Sequence, residues 1–334
     1  MTKLTMHPVP GLLQDFFCQR LQAQCNVSSQ TIASYRDTFR LLLLFTQQEL
    51  RRAPHQQCLE DWNVPLILRF LNHLEKKRGN TARTRNTRLA AIRSFMRYVE
   101  QQAPEALCLT SRILAIPTKR HERPLLGYLT KPQIQTLLRL PPRASATSQR
   151  NRILWMLLYH TGARISEALA LNHQDIKWTP SPAVQLHGKG RKQRLVPLPS
   201  SLATQLKEWL RQQPGQADAP VFTSRFGQRL SRFGAHKQLR RHLRNPATRC
   251  SSWPAQRISP HTLRHTTAMH LLQAGVDVTV IALWLGHESP QTTHHYVELD
   301  LQMKRKCLAK LARPRSKAKC FKPGDKLLQF LKSL

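Results

Sequence analysis

The chain has 334 residues, 40% of them hydrophobic, and carries 53 Lys plus Arg against 18 Asp plus Glu, a net charge of +35. That length admits two cores, and that apolar content excludes a disordered polycation. A charge excess of this size repels itself in a compact state unless a polyanion neutralises it; DNA is the expected partner, and RNA or an anionic membrane surface has the same sign. The 7 cysteines form no C-x-x-C pair, so neither a disulfide framework nor a zinc ribbon is indicated, and reduced thiols in the cytoplasm are expected. The segment MTKLTMHPVPGLLQDF shows no apolar signal core, and the apolar runs at 41–45 and 153–159 are too short to cross a bilayer, so no membrane partner is expected.

Residues 11–100 read as a run of helices. In TIASYRDTFRLLLLFTQQEL, Ile32, Tyr35, Phe39, Leu42 and Leu43 recur at helical spacing, with Ser28, Ser29 or Thr31 available as cap. A second helix fits VPLILRFLNHLEKKRG, with Pro65 in its first turn and Gly79 at its end. A third fits TARTRNTRLAAIRSFMRYVEQ, where Leu89, Ile92, Phe95, Met96 and Val99 supply the buried face. Its arginines Arg83, Arg85, Arg88, Arg93 and Arg97 are expected to face a DNA groove or clamp a backbone. Residues 101–128, with Pro104, Pro117, Pro124 and the basic run TKRHER, have the composition of a linker. A new domain is expected to start near 122–128, opening on a helix capped by Thr130 with Gln133 completing the box.

Beyond it, RNRILWMLLYHTG reads as an apolar helix ending at Gly162, followed by a helix holding Arg164. Two β-prone arms, 183–187 and 193–198, flank GKGRK and predict a hairpin with Lys189 at its tip. Helices follow over ATQLKEWLRQQ, over the basic stretch ending HKQLRRHLR, over HTLRHTTAMHLLQAG and over VTVIALWLGH. After Tyr296 the chain is strongly basic with two apolar patches, one at Leu299, Leu301, Met303, Leu308 and Leu311 and one at Leu327, Leu328, Phe330 and Leu331.

Six polar residues carry the chemistry. Phosphodiester transfer needs an in-line nucleophile, fixed cations for the charge that builds on phosphorus, and an acid for the leaving oxygen. Arginine suits the cation role because its planar fork donates two parallel hydrogen bonds and stays charged. Arg164 and Arg264 are the candidates for a clamp. His261 and Arg264 are three apart and share a helix face. Each box alone has an ordinary reading: TGARISEALAL as a helix start with an Arg–Glu pair, GKGRK as a basic turn, HTLRH as chance in a His- and Arg-rich chain, Tyr296 as a packing residue. A zinc site on His261 and His265 lacks the Glu of H-E-x-x-H, since position 262 is Thr. His265 and His270 are expected to be structural.

The joint order of Arg164, Lys189, His261, Arg264, His287 and Tyr296, in the boxes TGARISEALAL, GKGRK, SPHTLRHT and LGHESPQTTHHYVEL, resembles the tyrosine recombinases, or phage-integrase family. The resemblance implies a mainly α fold: a helical, SAM-like core-binding domain with linker over 1–121, an integrase-type catalytic domain with a small β-sheet or hairpin over 122–312, and a basic C-terminal tail over 313–334. It implies a site-specific recombinase in which Tyr296 forms a 3′-phosphotyrosyl link, Arg164 and Arg264 bind the phosphate, and Lys189 protonates the leaving 5′-oxygen. His261 assists proton transfer at the nucleophile, His287 is the last of the phosphate-binding residues, and Glu167 supports the site without reacting. No metal or cofactor is implied. The implied partners are double-stranded DNA with inverted half-sites, further copies of the chain in a tetramer, and accessory DNA-bending proteins or a partner recombinase, at a nucleoid-associated location. Glu298 departs from the histidine many members carry there. Two rivals stay open: a type IB topoisomerase-like enzyme that relaxes DNA, and a catalytically silent DNA-binding protein on the same fold.

Overall fold

The computed structural model describes residues 7–121, 127–139, 145–188, 192–213, 215–244, 258–286 and 325–333. The chain divides into two compact units, Met1–Pro124 and Leu125–Leu334.

In the first unit, α1 (Val9–Asp15) runs into a π-helical segment (Phe16–Gln24), and α2 (Ser29–Leu50), α3 (Val64–Lys76), α4 (Ala82–Gln102) and α5 (Leu107–Leu114) follow. The starts of α2, α3 and α4 are set by side chains: Ser28, Asn63 and Thr81 each accept from a backbone N–H in the first turn. Phe95 of α4 is the centre of the core. Its ring lies 5.4 Å from Phe16, 5.3 Å from Phe39 and 5.9 Å from Trp62, and all four side chains are buried.

Two expectations need correction here. Residues 101–116 are not linker: Pro104 opens a 3-10 turn, where its missing N–H costs nothing, and α5 then buries Thr110 and Ile113 against the core. The chain is tied back further still, because Asn86 exchanges hydrogen bonds with the Lys119 backbone. The arginines of α4 do not face outward as a set. Arg85 is buried beside Glu75 at 3.7 Å, Arg88 donates to Ser34 O at 2.9 Å and Thr38 Oγ1 at 3.0 Å, and Arg93 donates to Ile116 O. Only Arg83 and Arg97 of the five are exposed. A guanidinium with several N–H donors satisfies backbone carbonyls that a helix surface leaves open, and composition alone does not distinguish that use from phosphate binding.

The second unit is built on α7 (Ala146–Thr161), whose residues Ile153, Leu154, Trp155, Met156, Leu157 and Leu158 are all buried. A helix apolar all round must be covered all round. The short α6 (Lys131–Leu137), with the expected Thr130–Gln133 capping box, precedes it, and α8 (Ile165–Ala170) follows it. A three-stranded antiparallel sheet comes next: β1 (Ile176–Lys177), β2 (Ala183–His187) and β3 (Gln193–Pro197), in the order β1-β2-β3. The β2–β3 pair is the expected hairpin, while β1 is too short to leave a periodic signal. Its register pairs Val184 with both Ile176 and Val196, an apolar stripe that seats the sheet on the core. Then come α9 (Ser200–Arg211), the basic α10 (Arg232–Arg244), α11 (Pro260–Gln273) and α12 (Val278–Leu285). Helix α11 packs on α7 and α12 packs on α11. The second tail patch forms α13 (Asp325–Lys332), with Leu328, Phe330 and Leu331 exposed; the first, at 299–311, lies outside the described residues. Among the described residues no helix is long and apolar enough to cross a membrane.

Replacing Phe95 by Ala removes the ring that the other three pack against. The expected cost is about 3–5 kcal/mol, seen in chemical denaturation as an earlier unfolding of the first unit with the second unit's transition unmoved.

Candidate active site

The site starts where α7 stops. Gly162 adopts φ +61° and donates its N–H to Leu158 O, ending the helix in the left-handed conformation that glycine tolerates best. A Cβ there would lie 2.3 Å from Leu285 Cδ2 of α12, so the turn is also a packing contact. Two residues on, Arg164 is extended and acts as the N-cap position of α8, just outside the helix the sequence placed it in. Its backbone N–H donates to Glu167 Oε2 at 2.9 Å and its Nη1 to Glu167 Oε1 at 2.7 Å.

Glu167 is only 4% exposed, and a buried carboxylate needs partners for both oxygens. The second cation comes from β3: Arg194 Nη2 donates to Glu167 Oε2 at 2.7 Å and its Nε to Trp284 O at 3.1 Å, on the last turn of α12. Burial alone would raise the pKa of Glu167; the hydrogen bond and charge of Arg194, with the N–H and guanidinium of Arg164, outweigh it and hold the carboxyl below its ordinary value. Arg194 was not singled out in the sequence, where it is one basic residue among several in GKGRKQRLVP.

Arg264 reaches the same turn from α11. It is 4% exposed and its Nη1 donates to Gly162 O at 2.7 Å, so the two candidate phosphate arginines are anchored two residues apart on one segment. His261, one helical turn before Arg264, opens to solvent, yet neighbouring atoms crowd its ring. Burial, then the neighbouring Arg264, His236 and Arg164, keep its pKa below the usual histidine value, so the ring is neutral at pH 7 and able to accept a proton. It stands at a cavity of about 1340 Å³ whose other wall is Arg232, His236, Lys237, Arg240 and Arg244 of α10. That wall presents cations to any phosphate entering beside His261. His270 is used structurally, its Nδ1 2.9 Å from the Tyr159 hydroxyl.

The structure therefore brings Arg164, His261 and Arg264 to one place. Lys189, His287 and Tyr296 lie outside the described residues. Their flanks are described: Gly188 closes the β2–β3 loop by donating to Lys192 O at 2.7 Å, and Gly286 caps α12 at φ +65°. Among the described residues no cluster of three His, Cys, Asp or Glu is placed to hold a metal.

Glu167→Gln breaks a buried pair and should cost about 3–5 kcal/mol near neutral pH. The sign with pH follows from the lowered carboxyl: its stabilisation is fully present above the unfolded value of about 4.3 and is lost as the pH falls through the lower folded value. Denaturant titrations should then show wild type and variant converging in strong acid, with wild type ahead at pH 7. Gly162→Ala should also lose more than about 1 kcal/mol, from the left-handed φ and the Leu285 overlap together.

Comparison with known proteins places this geometry. The profile of the "Phage integrase family" matches residues 127–303, and that of the "Phage integrase, N-terminal SAM-like domain" matches residues 15–103. A Sinorhizobium fredii protein named as an integrase/recombinase, y4rC, is 42% identical over 323 residues, 97% of either chain. The tyrosine recombinase XerC of Chlamydia caviae is 34% identical over 243 residues, 70% of this chain and 73% of that one. Among solved structures, the XerH site-specific recombinase in a post-cleavage complex with palindromic difH substrate superposes with TM-score 0.67 at 22% identity, covering 85% of this chain and 81% of that one. The Tn1549 transposon integrase with transposon right-end DNA superposes with TM-score 0.68 at 15% identity, covering 90% and 99%. These two likenesses establish the fold, a mainly helical architecture with a small antiparallel sheet. With the family profile spanning more than half of the chain and a relative 42% identical over 97% of it, the chain belongs to the phage-integrase family of tyrosine recombinases.

Proposed function

We infer that this protein is a site-specific DNA recombinase that cuts and rejoins strands through a 3′-phosphotyrosine. The observation that carries the reading is the anchoring of Arg164 and Arg264 on one turn, beside a neutral His261 at the mouth of a cationic cavity. The two guanidinium groups bind the non-bridging oxygens of the scissile phosphate and offset the charge that builds on them in the transition state. Tyr296 attacks phosphorus, and His261 takes its phenolic proton. Lys189 gives a proton to the departing 5′-oxygen, and His287 completes the phosphate contacts. The covalent ester keeps the energy of the broken phosphodiester, so the reverse attack by a 5′-hydroxyl rejoins DNA without ATP. The steps are assigned to side chains of this chain, with no metal or cofactor.

In the domain assignment, residues 1–121 bind core DNA, 122–312 hold the catalysis and 313–334 form a basic tail. The partners are duplex DNA with inverted half-sites and further copies of the chain, two per site and four in the synapse, with accessory DNA-bending proteins or a partner recombinase; the location is the cytoplasm, on the nucleoid. A SAM-like N-terminal domain, with relatives named recombinase and integrase, favours strand exchange over the relaxation reaction of a type IB topoisomerase.

The test is trapping on nicked suicide duplexes tiling the DNA that flanks the coding sequence. Wild type should give a slow-migrating covalent band on a denaturing gel and Tyr296→Phe none; a band that survives in the variant moves the nucleophile elsewhere. Arg164→Ala or Arg264→Ala should lower the cleavage rate about 10²–10³-fold, the loss typical of one transition-state donor. The lowered pKa of His261 sets the acid limb of the pH profile: cleavage holds as the pH drops to about 6.5 and fades only below it.

A further inference from the structure

The geometry points to Arg194 as a positioning residue for strand cleavage, acting through Glu167 and the end of α12. This rests on the recombinase reading above. The guanidinium of Arg194 is at a junction of three segments. It bonds Glu167 Oε2 at 2.7 Å, and Glu167 in turn fixes the Arg164 guanidinium and backbone. It bonds Trp284 O at 3.1 Å, two residues before the last described residue of that segment. It also lies against two glycines. A Cβ on Gly286 would sit 2.9 Å from Arg194 Nη1, and one on Gly188 would sit 3.6 Å from the same atom and 3.5 Å from Glu167 Oε1.

Gly188 and Gly286 directly precede Lys189 and His287 in the chain. One side chain, 13% exposed, therefore spans the backbone that leads into the proposed acid, the backbone that leads into the last phosphate ligand, and the carboxylate that holds the first arginine. A lysine there would keep the charge but not reach Glu167 and Trp284 O together, since its three donors share one nitrogen. Arg194 does not line the cavity walled by α10, so its effect is expected on the order of the site and not on the affinity for DNA.

The experiment uses the full chain with Arg194→Ala, Arg194→Lys, Glu167→Gln and the Arg194→Ala/Glu167→Gln double variant. Hydrogen exchange on DNA-free protein comes first. Peptides covering 185–193 and 281–286 should exchange faster in both Arg194 variants, with α7 and α9 unchanged; unchanged exchange in those two peptides overturns the proposal whatever the enzyme does. On the suicide duplexes, Arg194→Ala should cleave ten- to a hundredfold more slowly while duplex binding stays within twofold, and Arg194→Lys should recover only part of the rate. In the Glu167→Gln background the same change should cost less than threefold, because the two residues act as a unit. Fully additive losses, or loss of binding in step with cleavage, would assign Arg194 a general structural or DNA-contact role. Faster exchange in the two peptides with no cleavage by wild type on any duplex would uphold the positioning and sink the recombinase reading instead.

Discussion

Everything proposed for this site depends on one buried carboxylate. Glu167 takes a backbone N–H and a guanidinium from Arg164 and a second guanidinium from β3, and without it two arginines would face each other across a closed space. Replacing the whole buried cluster by apolar groups would cost little, since desolvation offsets much of its attraction, whereas removing one partner is costly. What the carboxylate provides is position. An arginine on a surface samples many rotamers, whereas one held at two points by a fixed carboxylate presents its remaining N–H donors in one direction, with the ordering cost met during folding instead of during the reaction.

The second anchoring device is backbone, not charge. Arg264 donates to the carbonyl of Gly162, the residue whose left-handed φ ends the central apolar helix. The proposed phosphate clamp is therefore anchored on the end of the buried helix α7, and Leu285 of α12 closes over the same glycine. Helix α11 supplies both Arg264 and His261 from its first turns, where the Ser259–Thr262 capping box and Pro260 fix the start. Loops vary in conformation more than helix starts fixed this way, so residue 164 and residues 261–264 are held close to one another, as the proposed shared phosphate requires.

Much of this was legible in the sequence, for identifiable reasons. Helical periodicity, the cap at Thr130 and the one among Ser28, Ser29 and Thr31, the glycine stops at 162 and 286, and the β2–β3 hairpin all leave local signals, and local signals survive folding. The roles of individual arginines did not. Arg85, Arg88 and Arg93 satisfy acceptors distant in sequence, and Arg194 meets Glu167 across 27 positions, so each use is decided by tertiary contact. The linker reading of 101–128 misled over 101–116 for a related reason: Pro104 sits where a helical turn tolerates it, and the apolar Ile113 and Ile116 then settle into the core.

The chain has few acids, and several of them are paired: Glu75 with Arg85 and Lys119, Glu60 and Glu105 with His7, Asp175 with His187, Glu167 in the site. Pairing an acid with an arginine or lysine cancels one charge of each sign, so the large positive excess remains. Unbound, such a protein is strained by its own repulsion, and dissolved salt relieves it; bound to a polyanion, the same salt competes for the contacts. Ionic strength therefore pulls two ways on this molecule, steadying it when it is alone and detaching it when it is at work.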